Sequence, residues 1–207
     1  MSVKVQVIFY STYGHVYRLA EEIAKGAREI DGAQVDVFQV AETLPNEVLE
    51  KMGAVDARKA FAHIPAADPK RLGDADAIIL GSPTRYGSAA AQMQAFLDAT
   101  GSLWSSGALI GKIGSAFTST ASQHGGQETT LLSMSTFFFH QGMAILGVPY
   151  SAQELVYLDQ VSGGSPYGAT TIAGPRGERQ PTENELAIAR AQGRHVATFA
   201  SRLRSKA

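Results

Sequence analysis

The chain has 207 residues, of which 44% are hydrophobic and 18% are charged, and its formal net charge is −1. This length and composition predict one sizeable core in a single domain spanning residues 1–207. The nearly balanced charge argues against electrostatic binding to nucleic acid or to an anionic membrane surface. Because the chain has no cysteine, disulfides and thiol chemistry are excluded, and any redox activity requires a bound cofactor.

Targeting and metal signals are not visible in the sequence. No secretory signal or long apolar span appears, so we expect a cytoplasmic protein without membrane insertion. No metal site is predicted, because the histidines lack the spacing of metal ligands. They are His15, His63, His124, His140 and His195.

The first predicted elements are a buried strand over 3–10, a short polar loop and a helix with apolar residues every three or four positions. Such a unit presents unpaired N–H groups and the positive end of a helix dipole, which together bind anions. The candidate phosphate-binding residues of this loop are Ser11, Thr12, Tyr13, Gly14, His15 and Val16. An ordinary turn capped by serine or threonine explains the loop equally well.

The composition of this loop limits the kind of phosphate it could bind. It has neither the Gly-Lys-Ser/Thr of a P-loop nor the Gly-x-Gly-x-x-Gly of dinucleotide-binding folds. It also contains no lysine or arginine, so neutral donors and the helix end would hold the anion. This favours a terminal phosphate monoester, such as that of flavin mononucleotide (FMN), over ATP with magnesium.

Four further strands are predicted, alternating with helical segments, at 35–40, 77–81, 113–118 and 143–148. The segment near 53–69, rich in alanine and interrupted by proline, is interpreted as a surface insertion. A glycine-rich loop near 163–174 is interpreted as an interface loop. Thr182 and Glu185 then form the capping-box pattern that begins the last helix.

This alternation predicts an α/β fold, a doubly wound sheet of five parallel strands with helices on both faces. Ligands of such sheets bind at the carboxyl ends of the strands, where the strand order reverses. Two more polar loops leave such ends. The second loop contains Thr84, Arg85 and Tyr86, and the third contains Ser119, Thr120, Ala121, Ser122, Gln123, His124 and Gly125. Three converging loops favour a flat, phosphorylated ligand.

With these loops in place, the chain resembles flavodoxin-like proteins and, more closely, the Trp-repressor-binding-protein family (WrbA-type), the type IV NAD(P)H:quinone oxidoreductases. The resemblance covers nearly the whole chain. The matching stretches are Tyr13-Gly14-His15, Pro83-Thr84-Arg85-Tyr86-Gly87, Gly107-Ala108-Leu109, 117–128, Gly142-Met143 and 163–174. The last stretch is the most specific, because simple flavodoxins lack it. The segment near 53–69 is the least similar part.

The resemblance implies a flavodoxin-like fold and a homotetrameric enzyme that binds FMN and reduces quinones with NADH or NADPH. It implies that residues 11–16 bind the FMN phosphate and ribityl chain. It also implies that residues 84–86 border the isoalloxazine ring and that residues 119–125 complete the cofactor site. Arg85 near the ring would stabilise negative charge on its reduced form.

Three single residues receive roles from the same resemblance. Tyr13 would contact the nicotinamide nucleotide, and Trp104 would contact the quinone. His140 would reach the cofactor from a neighbouring subunit and is a candidate proton donor. Without the resemblance, the sequence favours other interpretations of two of these residues. Trp104 is then interpreted as a core or interface anchor, and His140 as a histidine at a helix C-terminus that the helix dipole stabilises.

The expected mechanism is a two-electron transfer in which nicotinamide and quinone occupy one place in turn, with ping-pong kinetics. The flavin carries the hydride, so no catalytic side chain is required. One alternative is a flavodoxin-like electron carrier, but such carriers are typically strongly acidic and this chain is not. A second alternative is a regulatory module that binds a protein partner, although the sequence has no basic stripe or DNA-reading motif.

Overall fold

The computed structural model describes residues 2–204, in which strands and helices alternate. The strands are β1 (Val3–Phe9), β2 (Ala33–Gln39), β3 (Ala77–Arg85), β4 (Ser88–Ala89), β5 (Ile113–Thr120), β6 (Ala144–Ile145) and β7 (Thr170–Ile172). The helices are α1 (His15–Arg28), α2 (Asn46–Lys51), α3 (Val55–Lys59), α4 (Ala91–Asp98), α5 (Gly101–Ser106), α6 (Gln127–His140) and α7 (Glu183–Arg204), with 3-10 turns at Pro69–Asp74 and Gln153–Val156. Within this part of the chain, no helix is long and apolar enough to cross a membrane.

The principal strands form a parallel sheet in the order β2-β1-β3-β5-β6. When only these five are counted, the order is 2-1-3-4-5, which is the doubly wound arrangement of flavodoxin-like folds. The predicted fold class is therefore confirmed. The strand order reverses between β1 and β3, and the loops that follow these two strands and β5 emerge together at the carboxyl edge of the sheet.

The outer neighbour of β5 consists of two short strands, where the sequence predicted a single strand over 143–148. The first, β6, pairs with Ile113–Gly114, and β7 pairs with the end of β5 at Thr118–Thr120. The chain leaves the sheet after β6 and returns after 24 intervening residues, since β6 ends at 145 and β7 begins at 170. A Cβ at Gly147 would lie 1.9 Å from the Pro166 carbonyl oxygen, so the departing and returning segments touch at a position that admits only glycine.

Helices cover both faces of the sheet. Successive residues of β1 point to opposite faces. Val5 and Val7 therefore pack with α1 and α7, whereas Ile8 packs with α4 and α6. The helices α1 and α7 approach so closely that a Cβ at Gly26 would lie 1.9 Å from the Arg190 carbonyl oxygen. This tight pairing fixes the direction of α1, whose N-terminus lies at the carboxyl edge of the sheet.

The segment near 53–69 is anchored in the core, and in this respect it differs from the predicted surface insertion. Phe61 is buried, with its ring centroid 5.7 Å from that of Phe9 and 5.3 Å from that of Tyr17. The side-chain amide of Gln39 donates to the Phe61 carbonyl at 3.1 Å. The composition concealed this packing, because one aromatic residue among many alanines supplies the anchor.

The glycine-rich loop near 163–174 folds back onto its own chain. The buried Glu185 carboxylate accepts hydrogen bonds from Gly163 N at 2.7 Å and Thr171 Oγ1 at 2.9 Å. Thr182 N also donates to Glu185 at 2.8 Å, and Glu185 N donates to Thr182 Oγ1 at 3.3 Å, which confirms the capping box. The interface role of this loop stays a prediction.

Candidate functional site

A cavity of about 430 Å³ opens at the carboxyl edge of the sheet, between the loops that follow β1, β3, β5 and β7. Its volume lies in the range of sites for cofactors and other small ligands. The predicted residues that line it are Ser11, Thr12, Tyr13, His15, Val16, Thr84, Arg85, Ser119, Thr120 and Ala121. The sheet topology thus brings all three predicted loops to one cavity.

The first loop contributes the buried residues Ser11, Thr12 and His15 to the cavity, and we call this part of the cavity its closed end. Ser11 and Thr12 are buried, and Gly14 adopts a φ of +89° immediately before α1. Gly14 N donates to Ser11 Oγ at 3.0 Å, which leaves the Ser11 hydroxyl proton available to a ligand. Helix α1 has no acidic residue in its first turn and no side-chain cap, so its dipole and first N–H groups are not compensated. This is the chemistry of an anion site.

His15 is a buried imidazole at the same end. Its Nε2 is buried without a hydrogen-bond partner in the described part of the chain. Burial lowers the pKa of His15 below its ordinary value, although backbone groups of Arg179 and Gly177 act in the opposite direction. The imidazole is therefore neutral at neutral pH. Because buried polar atoms are nearly always paired, Nε2 is a candidate partner for a ligand group.

The second loop is a tight hairpin between β3 and β4, with Tyr86 and Gly87 as its two turn residues. Both have positive φ, of 54° and 83°, as in a type I′ turn. Tyr86 is the only non-glycine residue within 2–204 with a positive φ, and its side chain is fully exposed. Thr84 Oγ1 holds the turn by accepting hydrogen bonds from Gly87 N at 3.1 Å and Thr130 Oγ1 at 2.8 Å. Strain of this kind in a non-glycine residue is concentrated at functional sites.

Arg85 links the second loop to the first. Its Nη2 donates to Thr12 Oγ1 at 3.1 Å, and its Nη1 donates to Thr84 O at 2.9 Å. Since the Thr12 oxygen accepts this bond, the bond itself does not use the Thr12 hydroxyl proton. The guanidinium lies between the anion site and the hairpin, where it can stabilise negative charge on a ligand.

The residues that follow β7 form a wall of the cavity that the sequence prediction missed. The unpredicted lining residues are Met52, Pro83, Ala173, Gly174, Pro175, Arg176 and Gly177. Ala173 N donates to Thr120 O at 2.7 Å and Gly174 N donates to Ala121 O at 3.0 Å, so this wall continues the third loop. The sequence did contain a signal for this wall, because the turn sequence Gly174-Pro175-Arg176-Gly177 follows the β-branched run 170–172 after one alanine.

Several predicted site residues lie outside the cavity of their own chain. They are Tyr86, Trp104, Ser122, Gln123, His124, Gly125 and His140, while Gly14 contributes through the backbone turn alone. Gln123 and His124 line a neighbouring depression.

His140 and Trp104 are the most distant of these residues. Helix α6 begins beside the Tyr86-Gly87 turn and runs 14 residues, or about 20 Å, away from it. His140, at its end, lines a groove with Asp98 and Phe137. Trp104 lies on α5, which packs on the 3-10 turn preceding β3. A single chain therefore brings neither residue to the cavity.

Among the residues described, 2–204, no group of three or more His, Asp or Glu side chains is placed to hold a metal ion. The charged side chain that lines the cavity beside the anion site is Arg85, and Arg176 lines the wall after β7. The site therefore offers hydroxyls, backbone N–H groups, an imidazole and guanidinium groups to a ligand.

Comparisons with known proteins show what the chain is similar to. A family model described as NADPH-dependent FMN reductase matches residues 3–154. A protein from Trichlorobacter lovleyi named NAD(P)H dehydrogenase (quinone) is 58% identical over 97% of this chain and 98% of its own length. A protein of the same name from Methanosarcina acetivorans is 55% identical over 99% of this chain and 100% of its own length.

Solved structures give the same result for the fold. The flavodoxin, WrbA-like protein from Agrobacterium tumefaciens has a TM-score of 0.63 and 25% identity, covering 97% of this chain and 99% of its own. Oxidised flavodoxin 1 from Bacillus cereus has a TM-score of 0.57 and 18% identity, covering 99% of each chain. The second likeness concerns the fold alone.

Proposed function

Because the chain belongs to the NADPH-dependent FMN reductase family, we propose that it reduces quinones to hydroquinones with NADH or NADPH, using bound FMN. The family resemblance stated from the sequence is confirmed. The predicted enzyme class and cofactors agree with the names of the relatives and with the family model.

The observation that carries this proposal is an anion site at the closed end of a cavity that is open elsewhere. The Ser11 and Thr12 hydroxyls, the N-terminus of α1 and the unpaired His15 Nε2 suit a phosphate monoester with its adjoining ribityl hydroxyls. No lysine or metal ion is needed for such a group, in contrast to a nucleoside triphosphate. Bound FMN would supply the redox chemistry between the nicotinamide and the quinone, while the two protons of the hydroquinone would come from water or a side chain.

The chain's own residues bind, orient and shield. We propose that residues 11–16 hold the phosphate end and that residues 84–86 and 119–125 border the ring. Arg85 would stabilise negative charge on the reduced ring. Tyr13 is 37% exposed at the mouth, where its hydroxyl donates to Met52 O at 3.2 Å, and it would contact the nicotinamide nucleotide. Nicotinamide and quinone would occupy this mouth in turn.

We also propose that the active form is a homotetramer in which another copy completes the mouth of the cavity. Trp104, Ile110 and Phe139 are 62%, 70% and 71% exposed. Exposed apolar side chains of this size are typical of association surfaces. Trp104 would then contact quinone in a neighbouring copy, and His140, next to Phe139, would be its candidate proton donor. The glycine-rich loop near 163–174 is proposed to take part in the same assembly, in a cytoplasmic protein.

A visible spectrum of the purified protein tests the cofactor. We expect flavin absorption after addition of FMN, bleaching by anaerobic NADH or NADPH, and recovery when benzoquinone is added. A protein that stays colourless with FMN would contradict the proposal.

Steady-state kinetics tests whether nicotinamide and quinone share one mouth of the cavity. We expect parallel double-reciprocal plots of initial rate, and converging plots would count against a shared mouth. Sedimentation velocity tests the tetramer.

A further inference from the structure

We propose that Arg58 is a positioning residue for the phosphate end of the cavity. It holds the Ser11 carbonyl away from the anion, so that the donors of the first loop are turned towards the ligand. This inference rests on the proposed binding of FMN. It concerns a residue that does not line the cavity and lies in the part of the sequence that was interpreted as a surface insertion.

Arg58 lies on α3, behind the first loop. Its Nη1 donates to Ser11 O at 2.9 Å and lies 2.9 Å from Glu42 Oε2. The guanidinium carbon also lies 5.4 Å from the centroid of the buried Phe61 ring. Only 18% of the Arg58 side chain is exposed. The aromatic anchor of the segment therefore fixes the position of this cation.

Glu42 determines where the guanidinium can lie. Its carboxylate accepts hydrogen bonds from Tyr10 OH at 3.0 Å, Gln92 Nε2 at 2.9 Å, and the backbone N–H groups of Thr43 and Leu44. Burial by itself would raise the pKa of Glu42, but the hydrogen bonds bring the pKa below its ordinary value. The ionised carboxylate thus joins the ends of β1, β2 and α4 to Arg58.

The orientation of the Ser11 carbonyl matters because an anion-binding loop must turn its oxygens elsewhere. A carbonyl oxygen facing a phosphate would repel it, whereas backbone N–H groups attract it. Arg58 donates a hydrogen bond to the Ser11 carbonyl behind the loop. In front of the loop, Ser11 Oγ accepts a hydrogen bond from Gly14 N. At the other end of the loop, Tyr13 OH donates to Met52 O. The residues from Met52 to Arg58 therefore hold the loop at two points.

If the ion pair between Arg58 and Glu42 were purely structural, its loss would destabilise the fold and weaken all ligands alike. A positioning role predicts a loss confined to the phosphate end. FMN and riboflavin separate the two roles, because they carry the same ring and ribityl chain and differ by the phosphate. Inorganic phosphate provides an independent probe, because it can occupy only the anion site.

The test uses the full chain, stripped of flavin, as wild type, Arg58→Gln, Arg58→Lys and Lys59→Gln. Arg58→Gln is expected to raise the Kd for FMN roughly 10- to 100-fold, as for loss of a hydrogen bond to a charged group, and the Kd for riboflavin less than about threefold. It should also abolish the rise in melting temperature that inorganic phosphate gives the wild type. Arg58→Lys should lose less, because it retains the charge but not the planar fork.

Lys59→Gln is the matched control. It removes an exposed cation from the same helix, which pairs with Asp56 at 2.7 Å and does not contact the loop. We expect its affinity for FMN to equal that of the wild type. Equal weakening of FMN and riboflavin in the Arg58 variants, or unchanged FMN affinity, would overturn the proposal. So would a Lys59→Gln variant that matches Arg58→Gln.

If Arg58→Gln does not fold, Arg58→Lys supports or overturns the proposal by the same ratio of the two dissociation constants. A wild-type chain that binds no FMN would overturn the proposed function and this inference with it. A wild-type chain that binds FMN with an unchanged ratio in the variants would overturn the inference alone.

Discussion

The two ends of the cavity are built in different ways. At the closed end, Ser11, Thr12 and His15 are buried, and local hydrogen bonds fix the loop that carries them. At the open end, towards the hairpin, Tyr86 is fully exposed on a strained turn and does not line the cavity. Trp104, on α5, does not reach the cavity of its own chain either. One chain therefore buries the residues of the closed end and leaves the open end accessible.

Substitution of Gly14 by valine is the strongest test of the closed end. The φ of Gly14 is +89°, whereas the nearest atom to a Cβ there would be Ala57 O at 4.0 Å, so the obstacle is backbone strain and not lack of space. Strain of this kind costs about 1–3 kcal/mol, and relief of it would move the N–H groups of the first loop. We expect the Kd for FMN, measured by fluorescence titration, to rise at least about 100-fold, which corresponds to ~2.7 kcal/mol.

Gly111→Val supplies the matched control for that substitution. Gly111 has a φ of +79° with no atom within 4 Å of a Cβ, and it lies before β5, at the opposite edge of the sheet. The Gly111→Val substitution should lower the melting temperature as Gly14→Val does, but it should leave the affinity for FMN unchanged. Equal affinities in the two variants would place Gly14 outside the site.

The closed end could be predicted from sequence because its signals are local. A strand, two hydroxyl residues, a glycine and a helix follow one another within 3–28, and each element restricts the next. The partners that support this loop could not be predicted in the same way. Arg58 is 47 residues away from Ser11, and its helix is recognisable only once Phe61 is seen in the core.

The open end shows the opposite limit of sequence reasoning. The third loop was predicted over 119–125, yet only Ser119, Thr120 and Ala121 line the cavity, because β7 pairs with β5 and the residues after it take the remaining place. Pairing between β5 and β7 spans some 50 residues of chain, and no local pattern encodes it. The roles given to Trp104 and His140 came from a family resemblance and depend on other copies of the chain.

Arg85→Ala tests whether the guanidinium acts on the ring as well as on the first loop. Removing a cation that stabilises negative charge on the reduced ring should make the flavin midpoint potential more negative, by roughly 30 mV if ~1.4 kcal/mol is lost. The broken bond to Thr12 should weaken FMN binding by about tenfold. Potentiometric titration measures the first effect. An unchanged potential with weaker binding would confine Arg85 to the closed end, and Arg85→Lys controls for charge.

Trp104→Ala is expected to have a smaller effect, restricted to the open end. If Trp104 contacts quinone in a neighbouring copy, its loss should raise the KM for quinone several-fold, since an aromatic contact contributes about 0.5–1.5 kcal/mol beyond its buried area. The Kd for FMN should not change. Trp104→Phe retains an aromatic ring and should be intermediate. Sedimentation velocity must show the wild-type assembly in each variant, and an unchanged KM in an intact assembly would leave Trp104 a surface residue only.

The smallest effect concerns the pH dependence contributed by His15. Burial lowers its pKa in the folded chain below the ordinary value of about 6.5. Above that pH both folded and unfolded chains carry a neutral imidazole. As the pH falls below it, the unfolded chain binds a proton that the folded chain resists, so the free energy of unfolding decreases until the folded pKa is reached. His15→Gln should remove this part of the decrease, as measured by urea unfolding of the flavin-free chain between pH 5 and pH 7.5.

His195→Gln is the comparison that ties this effect to the cavity. Burial, with the nearby Arg202 charge, also lowers the pKa of His195, which packs on Phe199 of α7 away from the cavity. Both substitutions should therefore flatten the acid side of the stability profile. Only His15→Gln should change the affinity for FMN, because only the His15 imidazole has an unpaired nitrogen at the closed end. If both variants bound FMN as tightly as the wild type, the His15 nitrogen would have no ligand partner.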